Sequence, residues 1–386
     1  MCIICRDEYK GEKELDLQNC KIVKKIPVIH GLEKLKCNEC INLTEIAVIP
    51  GLKKLWCIDT KLSSIPVIDS LKYLNCSKCV LLQEIPVIPG LISLVCECCP
   101  NLRKIPIIPG LKYLCTRLNR SLKGIPMISG LKILDCAWCK YLTDIPKIPG
   151  LRVLDCTACW KLEKIPIILD MKKLICKHCK IKEIPVIPGL KLLDCGSCQD
   201  LIKIPVFPEL VILRCLGCQN LKEIPVMYGL RLLNCSKCES LTHIPIMPYL
   251  QKLYCWNSPK LTKIPVMPDL KVLRCEECQG LTDIPNIPSL IVLFCDKSRF
   301  ITELPDMSKI KKVSCKGCPW VKQNEEFKEN LTKLVTLQKF INQRRKLKIC
   351  KRWVESDDFR QWYYHPEGPG GVKAVLRLIN KCETMA

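Results

Sequence analysis

The sequence predicts a repeat solenoid, in which short parallel strands stack turn upon turn and extended segments return the chain between them. Three observations predict it: the dipeptide Ile-Pro recurs along most of the chain, the step between copies is 20 residues with two steps of 19, and each copy follows a fixed order of Leu and Cys. Such a period indicates supersecondary units that bury their apolar faces against one another. The isoleucines of the dipeptide are Ile26, Ile65, Ile85, Ile105, Ile125, Ile145, Ile165, Ile184, Ile204, Ile224, Ile244, Ile264 and Ile284.

Each turn is predicted to contain one strand and one extended return. A representative turn is GLRVLDCTACWKLEKIPIIL, which begins at Gly150, and the consensus is L-x-x-L-x-C-x-x-C-x-x-L-x-x-I-P-x-I-P-G. Strand alternation in x-x-L-x-C-x-x places Leu and Cys inward and the residues between them outward. The two prolines of I-P-x-I-P restrict φ and remove two donors, so the return is predicted to be extended or polyproline II. Degenerate copies stand at Ile46-Ala47 and Leu304-Pro305.

The chain resembles the leucine-rich repeat family over about residues 15–320. The first Cys takes the place of the third Leu, and the second takes the Asn/Cys position, of L-x-x-L-x-L-x-x-N/C-x-L; Thr116 and Asn119 fill these columns in one turn. The I-P-x-I-P return is similar to that of bacterial effectors, the C-x-x-L spacing to the cysteine-containing class, and the Lys- and Ile-rich bias to repeat proteins of giant DNA viruses of amoebae. The resemblance implies a curved solenoid with a parallel β-sheet on its concave face, which binds another protein, and extended segments on its convex side.

The repeat pattern divides the chain into three parts. Residues 1–14 are predicted to form an N-terminal cap, and residues 15–320 about 16 leucine-rich repeats of 20 residues. Residues 321–386 are predicted to be a small, basic, helical C-terminal cap or tail, because Phe327, Leu331, Leu334 and Ile341 lie at helical spacing. A cap would cover the apolar face of the last repeat.

Most of the 32 cysteines belong to the two columns. C-x-x-C also suggests a zinc or redox site, but Thr60, Thr116 and Ser298 replace members without loss of the period. A free Cys is a small buried hydrophobe, so the favoured interpretation is a structural ladder without metal. A thiol array that binds metal, a redox function and a zinc site at Cys2-x-x-Cys5 are alternatives. The ladder residues singled out are Cys37, Cys40, Cys136, Cys139, Asn119, Cys275 and Cys278.

Composition limits the class of protein. Of 386 residues 48% are hydrophobic, which is enough for a core, and Lys or Pro interrupts every apolar run before it reaches the length of a membrane span. The many thiols and an early acidic N-terminus, unlike a signal peptide, predict an intracellular, cytoplasmic protein. There is no phosphate-binding Gly loop, nucleophile elbow or spaced carboxylate pair. We therefore expect no catalytic residues and no cofactor.

The outward strand residues are the candidate binding surface. One outward row includes three aspartates on a basic chain, and it mixes arginines with aromatics, types that are enriched at binding hot spots. Varied solvent-facing side chains without a partner are the alternative interpretation. The candidate residues are Trp56, Asp135, Asp155, Asp194, Arg214, Tyr254, Arg274 and Phe294.

The sequence thus predicts a non-enzymatic, monomeric protein–protein interaction scaffold whose partner is a protein. The excess of 61 basic over 38 acidic residues gives a net charge of +23 and leaves a nucleic-acid-binding or virion-associated accessory protein as an alternative. Lysines that only keep the array soluble would explain the same charge. A third possibility is a substrate adaptor in a ubiquitin-ligase complex, with its docking element in the tail.

Overall fold

The computed structural model describes residues 11–301 and 309–318. The chain forms two compact units, Met1–Leu190 and Lys191–Ala386, and each contains one short parallel strand per turn. The strands of the first unit are β1 (Glu14–Asp16), β2 (Lys25–Ile26), β3 (Lys34–Lys36), β4 (Glu45–Ile46), β5 (Lys54–Trp56), β6 (Tyr73–Asn75), β7 (Ser93–Val95), β8 (Tyr113–Cys115), β9 (Ile133–Asp135), β10 (Val153–Asp155) and β11 (Lys173–Ile175). Those of the second unit are β12 (Leu192–Asp194), β13 (Ile212–Arg214), β14 (Leu232–Asn234), β15 (Lys252–Tyr254), β16 (Val272–Arg274), β17 (Val292–Phe294) and β18 (Lys312–Ser314).

The register of the strands follows the repeat. Strand β10 pairs in parallel with β9 and β11, which places Leu154 opposite Leu134 and Leu174. In the second unit β16 pairs with β15 and β17 in the same way. Side chains one period apart in sequence therefore become neighbours, about 4.8 Å apart along the stack. The parallel-strand solenoid predicted from the period is confirmed.

The core of each turn contains the apolar columns of the consensus. In the turn that begins at Gly130, Leu134 and Cys136 are fully buried on the inner side of the strand. Ile145 and Ile148 close the same core from the return segment, and Lys147 between them points outward. A single turn has no partner for this apolar face, so stacking supplies the stabilisation.

The return segments are extended, and the described residues contain no helix. Most returns pair with their neighbours through one isolated bridge, such as Glu84 with Lys104. The degenerate copy at Ile46-Ala47 differs: the amide of Ala47 donates to the carbonyl of Ile26 at 2.9 Å, and β4 pairs with β2. Proline in the other returns has no amide hydrogen for this bond.

A left-handed residue precedes the second Cys column in almost every turn. Its φ lies near +60° even where the residue is not glycine, as at Lys78, Leu118 and Trp138. The conformation costs an L-residue roughly 1–2 kcal/mol. Gly217 and Gly317 occupy the same position in two turns. This tight turn carries the chain from the strand to the return side.

Several predictions fall on residues outside those that the structure describes. They are the Leu304-Pro305 copy, the zinc alternative at Cys2 and Cys5, and the helical cap over residues 321–386. The predicted N-terminal cap, residues 1–14, is described from residue 11 onward. Within residues 11–301 and 309–318 no helix has the length and apolar character that crossing a membrane requires.

Candidate functional site

The second Cys column forms a ladder of hydrogen bonds between turns. The thiol of Cys159 donates to the carbonyl oxygen of Cys136, 23 residues earlier and 3.2 Å away. Buried backbone oxygens need such donors, since an unpaired one costs roughly 1–3 kcal/mol. The same bond, at 2.9 to 3.2 Å, is made by the thiols of Cys40, Cys79, Cys99, Cys139, Cys179, Cys218, Cys238, Cys278 and Cys318.

The residues that replace Cys in this column are also donors. Asn119 Nδ2 donates to the carbonyl of Cys96 at 2.8 Å, and its Oδ1 accepts the amide of Cys99 at 2.7 Å. The hydroxyls of Ser258 and Ser298 donate to the carbonyls of Cys235 and Cys275. The column therefore requires a small side chain with a donor hydrogen, which Cys, Ser and Asn share.

The first Cys column is buried in the core beside the strands. The thiol of Cys37 donates to the carbonyl of Trp56 in the next strand at 3.2 Å, and that of Cys136 to Asp155 at 3.4 Å. Cys275 and its second-column partner Cys278 are fully buried as well. The sequence-predicted ladder residues thus all lie in the core, where they bond backbone carbonyls or pack.

Burial makes most of the core thiols poor nucleophiles and poor metal ligands. Desolvation raises the pKa of Cys37, Cys76 and Cys96 well above the usual value, which keeps these thiols protonated at neutral pH. The described cysteines are unpaired thiols. No group of three or more His, Cys, Asp or Glu side chains within the described ranges could hold a metal ion.

Trp56, the first residue of the candidate binding row, is covered by its neighbours. Its exposed fraction is 7%. Its ring lies 5.2 Å from that of Tyr73 in the following strand, and the Nζ of Lys36 in the preceding strand lies 5.9 Å from the ring centre. The row position is outward as expected, but packing along the row leaves little of the indole for a partner.

Asp135 and Asp155 are neighbours on paired strands of the first unit. Burial, and next the charge of Asp155, raises the pKa of Asp135 to about 6, although Arg117 Nη1 lies 3.1 Å from its Oδ2 and opposes the shift. Both aspartates also accept backbone amides two residues ahead, from Ala137 and Thr157. They close local turns, so part of their role is structural.

Asp194 lies in the second unit and adjoins a cation. It is opposite Arg214 in the register of β12 and β13, and Arg214 Nη1 lies 3.9 Å from its Oδ2. The exposed fraction of the whole residue is 7%. The three aspartates therefore do not share one environment: the first two adjoin each other, and the third is held beside an arginine.

Tyr254, Arg274 and Phe294 form a continuous group on β15, β16 and β17. Register places Arg274 between the two rings, and its guanidinium carbon lies 5.1 Å from the ring centre of Phe294. Arg274 is exposed, while both aromatics are partly exposed. A second cation, Lys312 Nζ, lies 4.9 Å from the Phe294 ring. Together with Arg214 and Asn234, which precede them along the row, these three residues constitute the unit-2 strand face.

Two residues beside this face were not singled out from the sequence. Glu276 Oε1 accepts from Arg274 Nε at 2.9 Å and orients the guanidinium. Trp256 lies under the ammonium of Lys237, 4.9 Å away. The spacing contains the signal for the second contact, because residues 18 to 20 apart occupy equivalent positions of adjacent turns.

Comparison with known proteins yields structural likeness only. No family model matches the chain, and none of the curated proteins matches it. YopM, a leucine-rich effector protein from Yersinia pestis, is similar with a TM-score of 0.55 and 19% identity over 81% of this chain and 90% of that one. YopM from Yersinia enterocolitica WA-314 has a TM-score of 0.38 and 19% identity over 81% and 92% of the two chains. A leucine-rich repeat protein from Bacteroides ovatus has a TM-score of 0.42 and 16% identity over 80% of each chain.

Of these three likenesses, the first is close enough in structure to support a conclusion. At its level of identity that conclusion concerns the fold alone. The strands, their parallel register and the buried columns described above agree with it. The chain has the leucine-rich repeat fold.

Proposed function

We propose that the protein is a non-enzymatic scaffold that binds another protein through the unit-2 strand face. The observation that carries the proposal is the uninterrupted row Tyr254, Arg274 and Phe294 on paired strands, with the arginine between two rings. Arginine and aromatic side chains dominate binding energy at protein interfaces. The strands hold them in fixed order, which lowers the entropy lost when a partner orders them.

The chemistry of this face suits a partner with both apolar and acidic groups. The rings of Tyr254 and Phe294 provide apolar area, and Arg214 and Arg274 provide exposed guanidinium groups. Glu276 occupies one side of the Arg274 guanidinium, so a partner carboxylate would approach from the other. Arginine pairs with carboxylates through two parallel hydrogen bonds.

The test is a pull-down with mass spectrometry from the native cells, with nuclease and moderate salt. The test variant carries Tyr254→Ala, Arg274→Ala and Phe294→Ala. A matched variant carries Tyr228→Ala, Arg299→Ala and Phe300→Ala, which removes the same residue types from exposed positions off the strand face.

We expect a protein that the wild type and the matched variant retain and the strand-face variant loses, with the thermal unfolding midpoint unchanged. Retention of every partner by the strand-face variant would refute this face as the binding surface. Equal loss in both variants would show that exposed aromatics act non-specifically.

The setting we propose is a reducing, intracellular one, with the protein as a monomer. Its support is the number of buried thiols that bond backbone carbonyls and have no disulfide partner among the described residues. The same ladder supports assignment of the repeats to the cysteine-containing type with short I-P-x-I-P returns. The Lys- and Ile-rich composition supports a source like the giant DNA viruses of amoebae.

A further inference from the structure

A row of cations runs along one edge of the first unit, where each turn enters its strand. It occupies the position two residues before the strand Leu, and Ile92 interrupts it once. We name it the basic row; it consists of Lys72, Lys112, Lys132, Arg152 and Lys172.

The backbone holds the row in line. The amide of Lys132 donates to the carbonyl of Lys112 at 2.8 Å, that of Arg152 to Lys132 at 2.9 Å, and that of Lys172 to Arg152 at 2.8 Å. Four consecutive turns therefore present one cation each, about 4.8 Å apart, or about 14 Å from first to last. Lys72 continues the line beyond Ile92, whose amide donates to the Lys72 carbonyl.

The side chains are positioned as well as the backbone. Lys112 Nζ donates to the carbonyl of Gly130 at 3.4 Å, and Lys132 Nζ to that of Gly150 at 3.3 Å. Each ammonium occupies space that glycine leaves open, because a Cβ on Gly150 would lie 2.9 Å from Lys132 Nζ. Repeated placement of this kind gives the cations a common direction along the edge.

No carboxylate neutralises the basic row within the described ranges. Lys53, one turn before the row, pairs with Glu33 at 2.9 Å. Asp69 and Asp170 lie in the adjoining turns, but neither forms an ion pair with a member of the row. Clustered, uncompensated cations raise the local concentration of anions. A lysine row that served solubility alone would not need regular spacing or positioned side chains.

We propose that the basic row binds the sugar–phosphate backbone of a single-stranded nucleic acid. A linear set of cations at regular spacing is complementary to a polymer with one anion per unit, whereas acidic protein segments present carboxylates at irregular positions. The phosphate repeat of a nucleic-acid strand, about 3.4 Å along the axis in the duplex, is close to the spacing of the turns. The contacts are to phosphates, so binding is independent of base sequence.

The experiment measures fluorescence anisotropy of a labelled 20-nucleotide oligo-dT with the full chain from 50 to 200 mM salt. The test variant carries Lys112→Gln, Lys132→Gln, Arg152→Gln and Lys172→Gln. The control variant carries Lys104→Gln, Lys123→Gln, Lys164→Gln and Lys182→Gln, which removes the same charge from exposed positions before the Ile-Pro segments.

For the wild type we expect binding that weakens steeply with salt, by about 0.7 decades per decade of salt for each phosphate neutralised. The test variant should lose at least tenfold in affinity, and the slope of log K against log salt should fall by about 3. The control variant should match the wild type within about twofold.

Three results would overturn the proposal. The wild type does not bind oligo-dT at 50 mM salt, both variants lose the same affinity, or a poly-glutamate peptide binds the row as tightly as the oligonucleotide. The second would assign binding to overall charge, and the third would assign the row to an acidic protein. The unit-2 strand face has none of these residues, so failure here leaves the proposed function untouched.

Discussion

The side-chain amide of Asn119 donates to the carbonyl oxygen of Cys96 at 2.8 Å, and its oxygen accepts the amide of Cys99 at 2.7 Å. Neighbouring turns replace this two-way contact with a thiol, which satisfies the carbonyl alone, as Cys139 does for Thr116. Asparagine thus ties two successive turns together at both a donor and an acceptor, and the cysteine ladder keeps one of the two bonds.

Loss of the Asn119 side chain should destabilise the repeats around it. Asn119→Ala leaves the buried amide of Cys99 and the carbonyl of Cys96 without these partners, at an expected cost of about 2–3 kcal/mol. Asn119→Cys keeps the donor and should cost about 1 kcal/mol. Urea denaturation followed by circular dichroism measures both, and an alanine variant within 0.5 kcal/mol of wild type would contradict the ladder's role.

Glycine should stabilise the left-handed turns. Lys78 is exposed with φ of 61°, so Lys78→Gly should raise the free energy of unfolding by roughly 1 kcal/mol, through relief of strain reduced by the entropy of a glycine in the unfolded chain. Lys78→Ala retains a Cβ and should change stability little. Thermal unfolding of the two variants decides, and equal midpoints would show that the turn is not strained.

Stability should depend on pH through Asp135. Its folded pKa of about 6 lies above the ordinary 3.8, so the folded chain binds the proton more tightly and this group's contribution falls as pH rises from about 4 to 6. The expected change is about 2 kcal/mol. Asp135→Asn should remove it, because asparagine, like Asn75 and Asn234 in the same row, accepts the amide two residues ahead. Parallel pH profiles of wild type and variant would refute the assignment.

Cys98 should react before the ladder cysteines. It is partly exposed, whereas Cys96 and Cys99 beside it are fully buried. Burial, and next the charge of Glu97, raises the pKa of Cys98 above its usual value, so iodoacetamide labelling should be slow at pH 7 and keep rising past pH 9. Peptide mass spectrometry follows each site, and faster labelling of Cys96 or Cys99 would show that the ladder opens in the native protein.

The register of the sheet could be predicted from the sequence because one period supplies it many times over. Every Leu of the strand has a Leu one turn before and after, so a shift by one residue would move the whole apolar set to solvent. Local deviations were harder to anticipate. The extra pairing at Ala47 follows from a single restored amide, and a consensus with Pro at that position conceals it.

The candidate site shows the limit of a pattern. Trp56 and Tyr254 occupy the same row, yet Trp56 is buried and Tyr254 is partly exposed. The difference lies in the neighbours: Lys36 and Tyr73 cover the indole. The sequence placed both residues outward but contained no rule for how much of each its neighbours cover.

By itself the sequence determined the parallel strands, the buried Leu, Cys and Ile columns and the extended returns, since these depend on alternation, apolar burial and the missing amide of proline. Only the tertiary structure decided which outward side chains remain available and which cations lack a carboxylate. Those properties depend on contacts between side chains a full turn apart, where the size and charge of each neighbour set the exposure of Trp56, the pairing of Asp194 and the unpaired state of Lys132.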